Sequence, residues 1–323
     1  MKEQRNPIDP GLFLKEAIAP EVIAFNQVVE ETLAKFPRLD QVPLEETRQS
    51  RAEGRMLTGE VVPIYRSALA DNVLVNTGQR DIEIRVFRPK QIKGVYLHIH
   101  GGGWVFGSYD LQDDWLEDIA TSCQVAVVSV QYRLAPEHPF PAGADDCEAV
   151  AAWLVENAMK EFGTDRIMVG GESAGAHLSA VTCIRMREKH QYSGFKGAVL
   201  TYGIHDVGLT PSVVNWGERN LIISTPTMKW FADLFVPDAS QRRTADVSPL
   251  YADLDQFPPS LLTAGTWDPL LDDSLFMHAK LVSLGRQSEL VLYPGGIHGF
   301  DIVDTPVISK QARERIKSFI MSS

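Results

Sequence analysis

The chain is short of the features that would set it outside the ordinary globular class. Its 323 residues include only three cysteines, Cys123, Cys147 and Cys183. An odd count with no C-x-x-C pair excludes a disulfide framework and suits buried thiols in a reducing compartment. No apolar run approaches the ~18 residues that a membrane-spanning helix requires. Basic residues are in deficit, with 31 Lys and Arg against 42 Asp and Glu, a formal charge of −11. Nucleic acid and anionic membranes both require a basic face, so neither is an expected partner. Residues 1–7 carry no apolar leader-like core, and the expected location is cytoplasmic. Internal repeats, low-complexity tracts and long linkers are also missing. What is present, 44% hydrophobic and 23% charged residues, is the balance of a folded chain with a sizeable core.

Periodicity gives the organisation. Residues 20–36 place Val22, Ile23, Phe25, Val28, Val29 and Leu33 on one helical stripe, broken by Pro37. Residues 82–87 alternate Ile82, Ile84 and Val86 with Glu83 and Arg85, the period of a half-buried strand, which Pro89 ends. From Gly94 the apolar runs become continuous: 95–99, 125–130, 167–169, 198–200, the surroundings of Leu261 and Leu262, and 290–293. Helical segments at 147–162, 174–188 and 272–284 separate them, and a last helix spans 306–321. Continuous strands alternating with helices predict an α/β fold whose mostly parallel sheet is covered on both faces. Residues 205–249 contain Trp216, Met228, Trp230, Phe231 and Phe235 but no strand run. They read as a helical insertion over the carboxyl edge of the sheet, where open α/β folds bind ligands. The expected division is cap helices at 1–50, core at 51–204, cap insertion at 205–249 and core at 250–323.

The strongest chemical signal is Gly171-Glu172-Ser173-Ala174-Gly175, with a strand before it and a helix after it. That context selects a nucleophile elbow over a plain turn, with Ser173 at the positive end of the helix dipole. A serine hydroxyl needs a base. Of eight histidines, His298 lies in a glycine-rich loop just past the last strand, where an imidazole can reach over the sheet edge. His177 reads as packing or a structural hydrogen bond, and His190 and His278 as solvated helix faces. The base in turn needs a carboxylate, and Asp268 directly follows a strand. Asp272 and Asp273 read as caps of the next helix. Asp301 and Asp304 lie too close to His298 in sequence to come from a separate strand end. Acyl transfer also needs oxyanion donors. His100-Gly101-Gly102-Gly103-Trp104 follows a strand, and its glycines leave backbone N–H groups open to substrate; the assigned donors are Gly102, Gly103 and Ala174. A phosphate loop is excluded, since neither G-x-G-x-x-G opening a helix nor G-K-[ST] is present. His98 and His100 share a face without a third ligand, so no metal is expected, and His100 reads as a brace for the loop. No cofactor is needed. Trp104, Trp216 and Trp267 are the expected substrate wall.

Together with the tract from Tyr132-Arg133-Leu134-Ala135-Pro136-Glu137-His138 to Ala142, these motifs resemble the hormone-sensitive lipase family of α/β-hydrolases, similar to bacterial family IV esterases. The resemblance runs from Val95 to Phe300. It implies the α/β-hydrolase fold with a helical cap, a Ser173–Asp268–His298 triad, an oxyanion hole at Gly102, Gly103 and Ala174, and homodimers paired through the last strand. The implied activity is serine carboxylesterase action on small, short- to medium-chain acyl esters. Two departures bear on this. Glu172 stands where the family commonly has Asp, and Ala176-His177-Leu178 is similar to the elbow of kynurenine formamidases, which leaves an amide or formamide hydrolase as the alternative. Arg133 and Glu137 are expected to brace their bend as an internal ion pair.

Overall fold

The β-branched runs pair side by side because each buries its side chains on both faces and has hydrogen-bonding groups to satisfy only at its edges. The structure, a computed structural model, describes residues 8–55 and 60–323; the amino-terminal stretch read for a leader lies outside them. Among the described residues the strands are β1 (Ala70–Asn76), β2 (Asp81–Phe87), β3 (Val95–Ile99), β4 (Ala126–Val130), β5 (Ile167–Glu172), β6 (Ala198–Thr201), β7 (Ser260–Gly265) and β8 (Ser288–Tyr293). They form one sheet in the order β1-β2-β4-β3-β5-β6-β7-β8. β1 and β2 pair antiparallel, as do β2 and β4, and every other neighbour is parallel. The helices are α1 (Pro20–Leu33), α2 (Leu44–Ala52), α3 (Asp113–Cys123), α4 (Ala142–Phe162), α5 (Ala174–His190), α6 (Pro211–Trp216), α7 (Thr225–Phe235), α8 (Leu271–Ser283) and α9 (Ile308–Ser322).

Alternation along the strands feeds two cores. Leu97 and Val128 join Val150 and Leu154 of α4 and Leu178 of α5 on one face. Tyr96 and Val127 join Leu116 and Ile119 of α3 and Ile316 and Ile320 of α9 on the other. Burying a side chain of this size stabilises the fold by about 1.5–3 kcal/mol relative to exposure. None of the described helices is long and apolar enough to cross a membrane.

Two elements were not expected. β1 is hidden in sequence because its second and third residues, Asp71 and Asn72, are polar and exposed. α3 is rich in acidic residues, yet it buries Trp115, Leu116, Ile119 and Ala120 along one side. β5 also runs three residues past its expected end, to Glu172. Arg133 and Glu137 do not pair with each other. Arg133 binds Asp146 of α4 at 2.9 Å, and Glu137 receives Arg48 of α2 at 2.7 Å. Each charge finds a partner on a neighbouring helix, so the bend is tied outward to two elements. The insertion at 205–249 is tied to the amino-terminal helices. Arg219 binds Glu30 at 2.9 Å, Arg38 binds Glu218, and Thr227 donates to Asp40 at 3.0 Å.

Candidate active site

The elbow is built by a close approach of two strands. Ile99 pairs with Gly171 across β3 and β5, and α5 begins at once, so its first turn crosses the end of β3. A β-carbon at residue 171 would stand 2.0 Å from the Ile99 carbonyl oxygen, which is why the position takes glycine. Ser173 is held at φ 54°, ψ −117°, a backbone conformation that a side chain bearing a β-carbon rarely adopts. Its N–H donates to the Thr201 carbonyl at the end of β6, 2.9 Å away.

Ser173 Oγ lies 3.0 Å from His298 Nε2, and His298 Nδ1 lies 2.9 Å from Asp268 Oδ2. The ionised carboxylate only accepts, so Nδ1–H donates to Asp268 and Nε2 is left to accept the serine hydroxyl. The other oxygen of Asp268 accepts the Leu270 N–H at 2.9 Å. Two further bonds lock the loops after β7 and β8 together: Thr266 N–H to the Tyr293 carbonyl and Trp267 N–H to the Gly296 carbonyl, each 3.0 Å. The Tyr202 ring meets His298 edge-on with centroids 4.8 Å apart. Tyr202 O–H donates to Asp301 Oδ1 at 2.5 Å, and burial pushes the Asp301 carboxyl up to about 6. Asp301 therefore holds the ring behind the imidazole. Sequence reasoning missed Tyr202, whose position after β6 carries no motif.

The glycine loop after β3 turns through Gly102, at φ +116°, whose carbonyl accepts the N–H groups of Val105 and Phe106. His100 donates from Nδ1 to the Gly101 carbonyl at 2.8 Å and stacks on Tyr132 at 4.2 Å. Burial lowers its pKa to about 4, so it is a neutral brace, as expected. Beneath the elbow, Glu172 Oε1 lies 3.0 Å from His98 Nε2, and His98 Nδ1 lies 3.0 Å from Ser129 Oγ. Burial would raise the Glu172 carboxyl, but the charge and hydrogen bond of His98 outweigh it and hold the group below its usual range.

These groups open onto a cavity of about 340 Å³ lined by Gly101, Gly102, Gly103, Ser173 and His298. Leu39 and Arg51 of the amino-terminal segment, and Met228 and Phe231 of the insertion, close over it. The three tryptophans lie elsewhere. Trp104 is buried, stacks on Phe235 at 4.2 Å and donates to His177 Nδ1 at 3.1 Å. Trp216 donates to the Arg219 carbonyl, and the Arg219 guanidinium sits 4.9 Å over the Trp267 ring. The opposite nitrogen of His177 donates to the Val247 carbonyl at 2.7 Å, the structural role expected of it. Asp272 and Asp273 do not cap α8. Asp272 accepts from Ser212 N–H, and Asp273 accepts the N–H groups of His205 and Asp206 and the Thr210 hydroxyl. They tether the insertion to the core instead.

Comparison with known proteins agrees with this architecture. A family model described as the alpha/beta hydrolase fold matches residues 96–302. The carboxylesterase NlhH of Mycobacterium tuberculosis is 33% identical over 257 residues, covering 75% of this chain and 77% of its own. An ethyl acetate hydrolase of Pseudomonas putida is 27% identical over 295 residues, covering 88% and 92%. Among solved structures, an esterase of Pyrobaculum calidifontis superposes with a TM-score of 0.81 at 28% identity, covering 94% of this chain and 98% of its own. The chain belongs to the α/β-hydrolase family, within the hormone-sensitive-lipase-like group that its motifs resemble.

Proposed function

We propose that the protein is a serine carboxylesterase for small, short- to medium-chain acyl esters, with Ser173 as nucleophile, His298 as base and Asp268 as its orienting carboxylate. The observation that carries this reading is the unbroken relay from Ser173 Oγ through the His298 ring to Asp268 at the floor of a cavity. His298 Nε2 takes the hydroxyl proton as Ser173 attacks the ester carbonyl, and Asp268 stabilises the imidazolium. The developing oxyanion is held by the amides of Gly102, Gly103 and Ala174. His298 then returns the proton to the leaving alcohol. Water, deprotonated by the same imidazole, attacks the acyl-enzyme; collapse releases the acid and restores Ser173.

A cavity of about 340 Å³ is at the small end for ligand sites, which favours small esters. Leu39 of 1–50 and Met228 and Phe231 of 205–249 close over it, with Arg51 at the first residue beyond the amino-terminal cap segment, and this supports a two-part cap over a core of 51–204 and 250–323. The relatives described above are named for ester hydrolysis, which favours an ester over an N-formyl amide. β8 is an edge strand of the sheet, so the homodimer implied by the family would extend the sheet there. Three free, buried cysteines are in keeping with a cytoplasmic location. The test is hydrolysis of p-nitrophenyl esters from acetate to laurate beside a folded Ser173→Ala control. Turnover of short chains that the variant abolishes is the expected result. Inactivity on every ester, or activity surviving in the variant, would overturn the assignment.

A further inference from the structure

We infer that Arg51 selects ester substrates that carry a carboxylate remote from the scissile bond, an inference that rests on the esterase reading above. Arg51 lies on α2 and lines the same cavity as Ser173 and His298. Its guanidinium sits 4.6 Å from the centroid of the Phe106 ring, itself part of the wall. Among the described residues it meets no carboxylate, although carboxylates outnumber cations in this chain by 42 to 31. Two arginines that share a surface cleft with it are engaged, Arg48 with Glu137 at 2.7 Å and Arg66 with Asp110 at 2.8 Å. Glu172, the acidic residue lining the cavity, is committed to His98.

The cavity thus has a nucleophile at one place, an arginine with no carboxylate partner among the described residues at another, and an apolar wall that includes Leu39, Ile223, Met228 and Phe231. A guanidinium recognises a carboxylate through two parallel hydrogen bonds. One positive charge matches a monoanion; a phosphate dianion would leave a negative charge uncompensated in a cavity that already holds Glu172. The substrate class that fits is a half-ester of a dicarboxylic acid, with an apolar spacer between the ester and the free carboxylate.

The test uses monomethyl esters of straight-chain dicarboxylic acids from succinate to suberate, each beside its neutral primary-amide counterpart, followed by pH-stat titration. At the chain length that spans the cavity, the acid is expected to exceed the amide by at least about tenfold in kcat/KM, chiefly through KM. Arg51→Gln brings that ratio close to one, Arg51→Lys retains part of it, and higher ionic strength lowers it in the wild type. A ratio near one at every length, or one unchanged in Arg51→Gln, overturns the inference and leaves the esterase reading standing, because p-nitrophenyl butyrate turnover reports on that reading separately. Calorimetric binding of the same half-esters to Ser173→Ala reads the anion contact without turnover: binding lost on adding Arg51→Gln supports the inference, and binding unaffected by it overturns it.

Discussion

The carbonyl oxygen of Ile99 lies 1.9 Å from the point where a β-carbon on residue 175 would stand. Gly175 is the last residue of the elbow motif and Ile99 the last of β3, so the contact fixes how closely α5 can cross the sheet edge. That closeness puts Ser173 within reach both of His298, arriving from beyond β8, and of the glycine loop that continues β3.

Gly175→Ala is therefore expected to force the two backbones apart. A destabilisation of about 3 kcal/mol follows from overpacking of this severity, with loss of ester turnover. Urea unfolding measures the first and a p-nitrophenyl butyrate assay the second. An unchanged midpoint with full activity would show that the elbow is not held by this contact.

Asp268→Asn keeps the size of the side chain but presents an amide that can stabilise the other imidazole tautomer and cannot balance an imidazolium. The expected loss in kcat is roughly 10³–10⁴-fold with little change in KM. If kcat stays within about tenfold of the wild type, the base is oriented by another group.

Trp104→Phe tests whether that ring binds substrate or supports the fold. Its indole N–H is a hydrogen-bond partner of the buried His177, and removing it leaves His177 Nδ1 unsatisfied, a penalty of about 1–3 kcal/mol. The acyl-chain preference is expected to stay as in the wild type. A shifted chain-length optimum in a variant of native stability would return Trp104 to the substrate wall.

The pH dependence of stability has a defined sign. Burial lowers His100 and His177 to about 4 and His205 to about 3. Between those values and ~6.5 the unfolded chain binds these protons and the fold does not, so acidification destabilises. Burial raises Asp273 to about 7 and Asp301 to about 6. There the fold binds protons that the unfolded chain releases, so their contribution is present at low pH and is lost as pH rises. Three histidines against two carboxyls leave about one proton net. The unfolding free energy is expected to fall by roughly 3 kcal/mol from about pH 6 to pH 4. Urea titrations across that window check it, and a stability that holds or increases on acidification would refute the balance.

The sequence by itself determined the parts whose chemistry is local. The elbow pentapeptide needs glycine because of a contact that recurs wherever a strand turns at once into a helix, and the strands of the parallel core announce themselves because burial on both faces leaves no polar alternation. Ser173, Asp268 and His298 were legible for the same reason, since each follows a strand and so must emerge at one edge of the sheet. Only the tertiary structure decided which side chains face the cavity. Trp104 and Trp267 sit beside motif residues in sequence and Trp216 lies in the insertion, yet Trp104 is taken up by His177 and Phe235, and Trp216 and Trp267 share Arg219 as a partner. Tyr202, Phe231 and Arg51 reach the cavity from segments that carry no motif. A chain position fixes where a backbone goes, but the direction of a large side chain is set by the neighbours it packs against, and those come from distant parts of the sequence.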